Sequence, residues 1–247
     1  MIRSAIVAVL SAVAASVSLY AQVPVLSGYS VMDVDVEELS GLCLSHDGTC
    51  LLACGDDGDV KSISFTGQTS EIWSRDLDME GITLNPSNAD MYLAIEGRQE
   101  ILKLTAPEYN TPEVMFQIKE AVDGRFFNDG LEGITYYKDD ILLIGSQRGA
   151  YIWKCTLDGE VVSRISVDSF ASEVADLCYD PEGDWLWVMD SVKKIMCICT
   201  VDGELIHTYD IKEIENAESV CVDRKNGCIW VGSDEDSPKL YRFEAKF

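Results

Sequence analysis

The sequence predicts an all-β chain folded as a five-bladed β-propeller with four-stranded blades. Three observations carry that prediction. A short element recurs five times: "LSGLCLS" at Leu39, "MEGITLN" at Met79, "LEGITYY" at Leu131, "VADLCYD" at Val174 and "AESVCVD" at Ala217. Three further apolar runs follow most copies, bounded by Gly, Asp and Asn turns, as β-strands are. The fifth copy stops short, and an unassigned strand-like segment stands before the first.

The elements fall in the same order in every copy. The recurring motif is the first strand. A turn follows it ("SHDGT", "NPSNAD", "YKDD", "DPEGD", "DRKNG"), then a second run ("LLAC", "MYLAI", "ILLIG", "LWVM", "IWVG"). The third run is "VKSIS", "EILKL", "AYIWKC", "KIMCIC" and "KLYRF". The fourth is "SEIW", "VMFQI", "VVSRI" and "LIHTYDI", and the last copy lacks one. Four strands at a period in the forties is a blade signature. The segment from Ser27 to Val36 would supply the missing strand, closing the ring and removing an open edge. A six-bladed alternative needs a blade inside the longer second copy, where "TAPEYNTPEV" reads as a loop.

Residues 1–21 carry Arg3 and then an uncharged apolar stretch, which predicts a secretory signal peptide cleaved near Ala21. Residues 22–247 are then one domain, expected in the periplasm or secreted. This part holds 18 Lys and Arg against 43 Asp and Glu, a formal charge of −25. Such a field repels phosphate backbones and anionic lipid, so neither nucleic acid nor a membrane surface is an expected partner. A monomer is expected, with a small molecule or protein at the channel mouth.

Nine cysteines are an odd number for an exported chain. Cys43–Cys50 and Cys221–Cys228 have spacings that would span a turn. Three of the nine fall in one column of the repeat, Cys43, Thr83, Thr135, Cys178 and Cys221, which reads as small side chains packed against large ones. Cys197 and Cys199 lie two apart on a third strand and face one side. The five tryptophans fall in or beside strands and read mainly as packing between blades.

The first strand of a blade lines the central channel. The column before the glycine there holds Ser40, Glu80, Glu132, Ala175 and Glu218. Three carboxylates brought together repel one another, and a hard cation relieves that. Oxygen ligands alone favour Ca²⁺. Asn128 and Asp176 are further candidate ligands. The acids closing the second strand, Asp56, Glu96, Asp190 and Asp234, read mostly as solvated loop residues. His46 and His207 lie outside the channel column, so a Ser-His-Asp hydrolase lacks its base. Any catalysis would run on carboxylates, with or without a metal-activated water.

The order "ELSGLCLS", "DMEGITLN", "NDGLEGITYY", "ASEVADLCYD" and "NAESVCVD", closing on "LYRF", resembles the SdiA-regulated (YjiK-like) family of exported bacterial propeller proteins. The resemblance spans the chain after the leader. It implies Glu80, Glu132 and Glu218 as channel residues with Asn128 beside them, and relates the chain to propeller groups with a channel metal. It supplies no reaction. The expected function is binding or interaction at an acidic, Ca²⁺-holding channel. The alternative is a metal-dependent hydrolase of phosphoesters, esters or lactones.

Overall fold

The computed structural model describes residues 22–118, 130–235 and 237–247. The predicted leader and Asn128 lie outside these. A strand β1 (Val25–Asp33) comes first. Blade 1 then comprises β2 (Leu39–Leu44), β3 (Cys50–Gly55), β4 (Asp59–Ser64) and β5 (Thr69–Ser74). Blade 2 is β6 (Met79–Leu84), β7 (Met91–Ile95), β8 (Glu100–Leu104) and β9 (Pro112–Gln117). Blade 3 is β10 (Leu131–Tyr136), β11 (Ile141–Ser146), β12 (Tyr151–Thr156) and β13 (Val161–Ser166). Blade 4 is β14 (Asp176–Asp180), β15 (Trp185–Asp190), β16 (Ile195–Thr200) and β17 (Leu205–Asp210). Blade 5 is β18 (Ala217–Asp223), β19 (Cys228–Ser233) and β20 (Lys239–Lys246), with β1 antiparallel on the outside of β20. Five four-stranded antiparallel sheets thus form a five-bladed propeller, and the six-bladed alternative is excluded.

The closing strand begins two residues earlier than predicted and ends three earlier. Val34 and Val36 leave it because they are buried between blades 5 and 1, and the Val34 amide donates to Pro238 O at 3.1 Å. Pairing from Val25↔Lys246 to Asp33↔Lys239 ties the two ends of the described chain together.

Because side chains alternate along a strand, each sheet has two apolar faces and the molecule has five separate cores. Each core lies between neighbouring blades. Leu51 and Ala53 pack toward blade 5, and Leu52 and Cys54 toward blade 2. Trp153 sits between blades 2 and 3, Trp185 and Trp187 between 4 and 5, and Trp230 between 5 and 1. Cys197 and Cys199 do share one face, in the core between blades 3 and 4. All nine cysteines are free thiols, so neither cross-turn pair is bridged.

The inner strands approach each other most closely at the motif glycine. A Cβ on Gly41 would lie 2.9 Å from Gly81 Cα, and one on Gly81 would lie 2.9 Å from Gly133 Cα. Blade 4 has Asp176 at this position, fully buried, and its carboxylate takes the Val220 amide of blade 5 at 2.8 Å. The axis is closed at this level. The propeller therefore presents two unconnected faces.

The small column beside that closure does more than fit. Thr83 Oγ1 accepts the Tyr136 amide at 3.0 Å, Thr135 Oγ1 the Tyr179 amide at 2.9 Å, and Cys178 Sγ the Val222 amide at 3.4 Å. Each links one blade's inner strand to the next. At these three of the five positions the side chain serves as an acceptor as well as filling volume. Thr135→Val is expected to orphan the Tyr179 amide and cost about 1–3 kcal/mol, while Thr135→Cys costs less because sulfur still accepts; urea unfolding of both variants checks the order.

Candidate acidic site at the channel mouth

The face at the start of the inner strands is acidic. Its geometry follows from a repeated backbone contact: the residue just after the second strand donates its amide to the residue just before the inner strand. Asp56 N reaches Glu38 O at 3.2 Å, Glu96 N reaches Asp78 O at 3.0 Å, and Asp234 N reaches Asn216 O at 2.8 Å. This brings second-strand acids to the same level as the glutamate column.

Asp56, Asp78 and Glu80 come together, each offering an oxygen within 4.8 Å of the others. Asp56 and Asp78 were not singled out as ligands by the sequence; they belong to neighbouring blades and meet only across the boundary. Asp56 stands beside Glu38, and its buried Oδ1 has no hydrogen-bond partner among the described residues. Burial first, then Glu38 and the charges of Asp234 and Asp78, push its pKa up to about 8. Burial and the neighbouring Asp78, Asp56 and Glu96 push Glu80 up to about 10. Carboxyl groups raised in this way keep their protons to higher pH, which lessens the repulsion among them.

Glu132 stands beside this group and is 6% exposed. Among the described residues no hydrogen bond reaches its side chain. Burial, followed by Glu80, Glu96, Glu218 and Glu173, holds it well above the usual carboxylate range. Glu218 is raised to about 7 by burial and by Asp234, Glu173 and Glu38. Glu80, Glu132 and Glu218 thus face one mouth.

Other candidates are placed differently. Asp176 sits on the axis below the mouth, where desolvation raises its pKa strongly against the pull of the Val220, Leu177 and Leu42 amides. Asp190 is not a solvated loop acid. It is fully buried and accepts from the Ser172 amide at 2.6 Å, the Ser172 hydroxyl and the Lys193 amide. Glu96 is buried too and accepts the Gly130 amide at 3.0 Å. Glu173 takes the Ser191 hydroxyl and the Val192 amide. These three brace loops around the mouth.

No family model matches the sequence, and no curated protein matches it. Solved structures do match in shape. A gluconolactonase from Xanthomonas campestris has a TM-score of 0.60 at 12% identity, over 87% of this chain and 89% of that one. A nidogen/laminin complex gives 0.58 at 13%, over 80% and 73%. A streptogramin B lyase gives 0.53 at 16%, over 82% of this chain and 66% of that one. At such identities the likeness concerns the fold alone, and it agrees with the blades: the chain is a β-propeller.

Proposed function

We propose that this chain is an exported binding protein of the SdiA-regulated kind whose acidic channel mouth holds a Ca²⁺ ion. The observation that carries the reading is the meeting of Asp56, Asp78 and Glu80, with the buried Glu132 near enough to feel the charge of Glu80. The donor set suits the ion. It consists of carboxylate oxygens alone, with no thiol or imidazole among them, and Ca²⁺ takes 6–8 oxygens in a flexible shell. Glu218 adds negative charge at the same mouth. A bound cation would offset a repulsion that protons otherwise relieve, and would present a positive centre to a partner's oxygen atoms.

Calorimetric titration of chelator-treated protein with Ca²⁺ tests this. One saturable site is expected, weakened about tenfold or more by Glu80→Gln or Glu132→Gln, a loss worth about 1.4 kcal/mol. No heat and no change in melting temperature on adding Ca²⁺ would remove the metal from the reading. The same preparations, offered a panel of esters, lactones and phosphoesters, separate binding from catalysis. Turnover that needs Ca²⁺ and is lost in both variants would make the protein a metal-dependent hydrolase.

A further inference from the structure

The opposite face carries a feature that no part of the acidic mouth explains. Beyond the axial closure the inner strands open into a bowl of about 720 Å³, within the range of small-molecule sites. Its floor is the ring of Cys43, Thr83, Thr135, Cys178 and Cys221. Its wall is the next residue of each inner strand: Leu44, Leu84, Tyr136, Tyr179 and Val222. Each also packs on the edge of a core between two blades: Leu44 on that of blades 5 and 1, Leu84 on 1 and 2, Tyr136 on 2 and 3, Tyr179 on 3 and 4, and Val222 on 4 and 5. All five positions are apolar or aromatic, and four of them remain partly exposed.

The chemistry of the lining defines what fits. The wall asks for apolar surface. The threonine oxygens already accept backbone amides, so their hydroxyl protons are left to point elsewhere, and neither hydroxyl donates to a protein group among the described residues. The floor thus offers donors. Two of the three rim cations are already engaged: Lys138 Nζ donates to Asp184 at 2.7 Å, and Arg224 grips the buried Asp180 with two 2.6 Å bonds. Five acids against three lysines and arginines in the lining disfavour an anion.

We infer that the bowl binds a neutral, largely apolar small molecule that carries a hydrogen-bond acceptor, such as a carbonyl or ether oxygen, directed at the threonine and thiol floor. The site is separate from the acidic mouth, because Asp176 and the close-packed glycine level lie between them.

The neutral dye 1-N-phenylnaphthylamine tests the apolar wall, and a set of cyclic ketones and lactones competing with it tests the floor. One-site, saturable fluorescence enhancement is expected, unchanged in Glu80→Gln and weakened about tenfold or more in Leu84→Asp, which puts a charge into the wall. Unsaturable enhancement, or equal affinity in a folded Leu84→Asp, overturns the site. Saturating apolar hydrocarbon of equal size that competes as well as the carbonyl compounds overturns the role of the floor. Should Leu84→Asp not fold, thiol protection in the unaltered protein decides. Cys43 and Cys178 are partly exposed on the floor, and Cys50, also partly exposed, is outside the bowl. Dye or ligand is expected to slow alkylation of Cys43 and Cys178 by N-ethylmaleimide several-fold relative to Cys50; equal rates with and without it overturn the proposal.

Discussion

Gly133→Ala is expected to abolish folding or leave a chain destabilised by more than about 4 kcal/mol, a loss comparable with the whole stability of many domains. A Cβ at this position would lie 2.3 Å from Asp176 Cα, 2.5 Å from Asp176 Oδ1 and 2.5 Å from the Leu177 amide nitrogen. Two of these three atoms are backbone, so rotating a side chain cannot relieve the clash. Nor can β10 withdraw. The Gly133 amide is bound to Ala175 O at 3.0 Å, and the backbone of β10 from Glu132 to Ile134 already limits the space at Gly81. Moving one inner strand therefore moves the ring. The comparison that isolates the effect is Gly48→Ala, at a turn with φ +66° and no atom within 4 Å of the added carbon. There only the left-handed backbone is penalised, at about 1–2 kcal/mol. Soluble yield and guanidinium unfolding midpoints of the two variants make the measurement. A Gly133→Ala protein as stable as Gly48→Ala would show that the inner strands do not close the axis.

The architecture was legible in the sequence because a propeller repeats its local choices. The glycine level, the turns and the four runs recur at a near-constant period, and the truncated fifth copy points to β1 as its completion. The acidic mouth was half legible. Glu80, Glu132 and Glu218 stand in one column, but Asp56 joins Glu80 from a different strand of a different blade, and Asp78 was passed over as a neighbour of the motif. A column finds like positions in successive repeats; it does not find unlike positions that meet at a blade boundary. Asp176 shows the converse. An acid in a glycine column looks like one more ligand, yet the level it occupies is the closure of the ring, where only a fully desolvated group can stand. The bowl left a signal that the aligned copies could have shown. Leu44, Leu84, Tyr136, Tyr179 and Val222, one position after the small column, are apolar or aromatic in all five copies, and four of them keep a partly exposed edge.

Ca²⁺ is expected to stabilise the protein more at pH 8 than at pH 5, and the cation-free protein is expected to lose stability over that same interval. The sign follows from the raised carboxyl groups. Asp56 moves from 3.8 to about 8 and Glu80 from 4.5 to about 10, so the native state holds protons that the unfolded chain has already released. Between the ordinary carboxylate values and these, the folded form binds more protons, and stability falls as pH rises. Above about 8 Asp56 begins to lose its proton, and like charges face each other across the mouth. A cation replaces those protons and reverses the trend. At a hundredfold excess over its Kd, a ligand specific for the native state contributes about 2.7 kcal/mol. For a domain of this size that is a rise of roughly 5–10 °C in Tm. Protons compete for the same oxygens, so the rise should shrink toward pH 5. Glu80→Gln removes one of the titrating groups and one ligand together. Its cation-free Tm should fall less steeply with pH, and its Ca²⁺ response should be small throughout. Thermal melts of the parent and this variant at pH 5, 6.5 and 8, with chelator or with Ca²⁺, measure all of this. A Ca²⁺ response of equal size at pH 5 and pH 8 would mean that the ion binds somewhere other than the proton-linked carboxylates of the mouth.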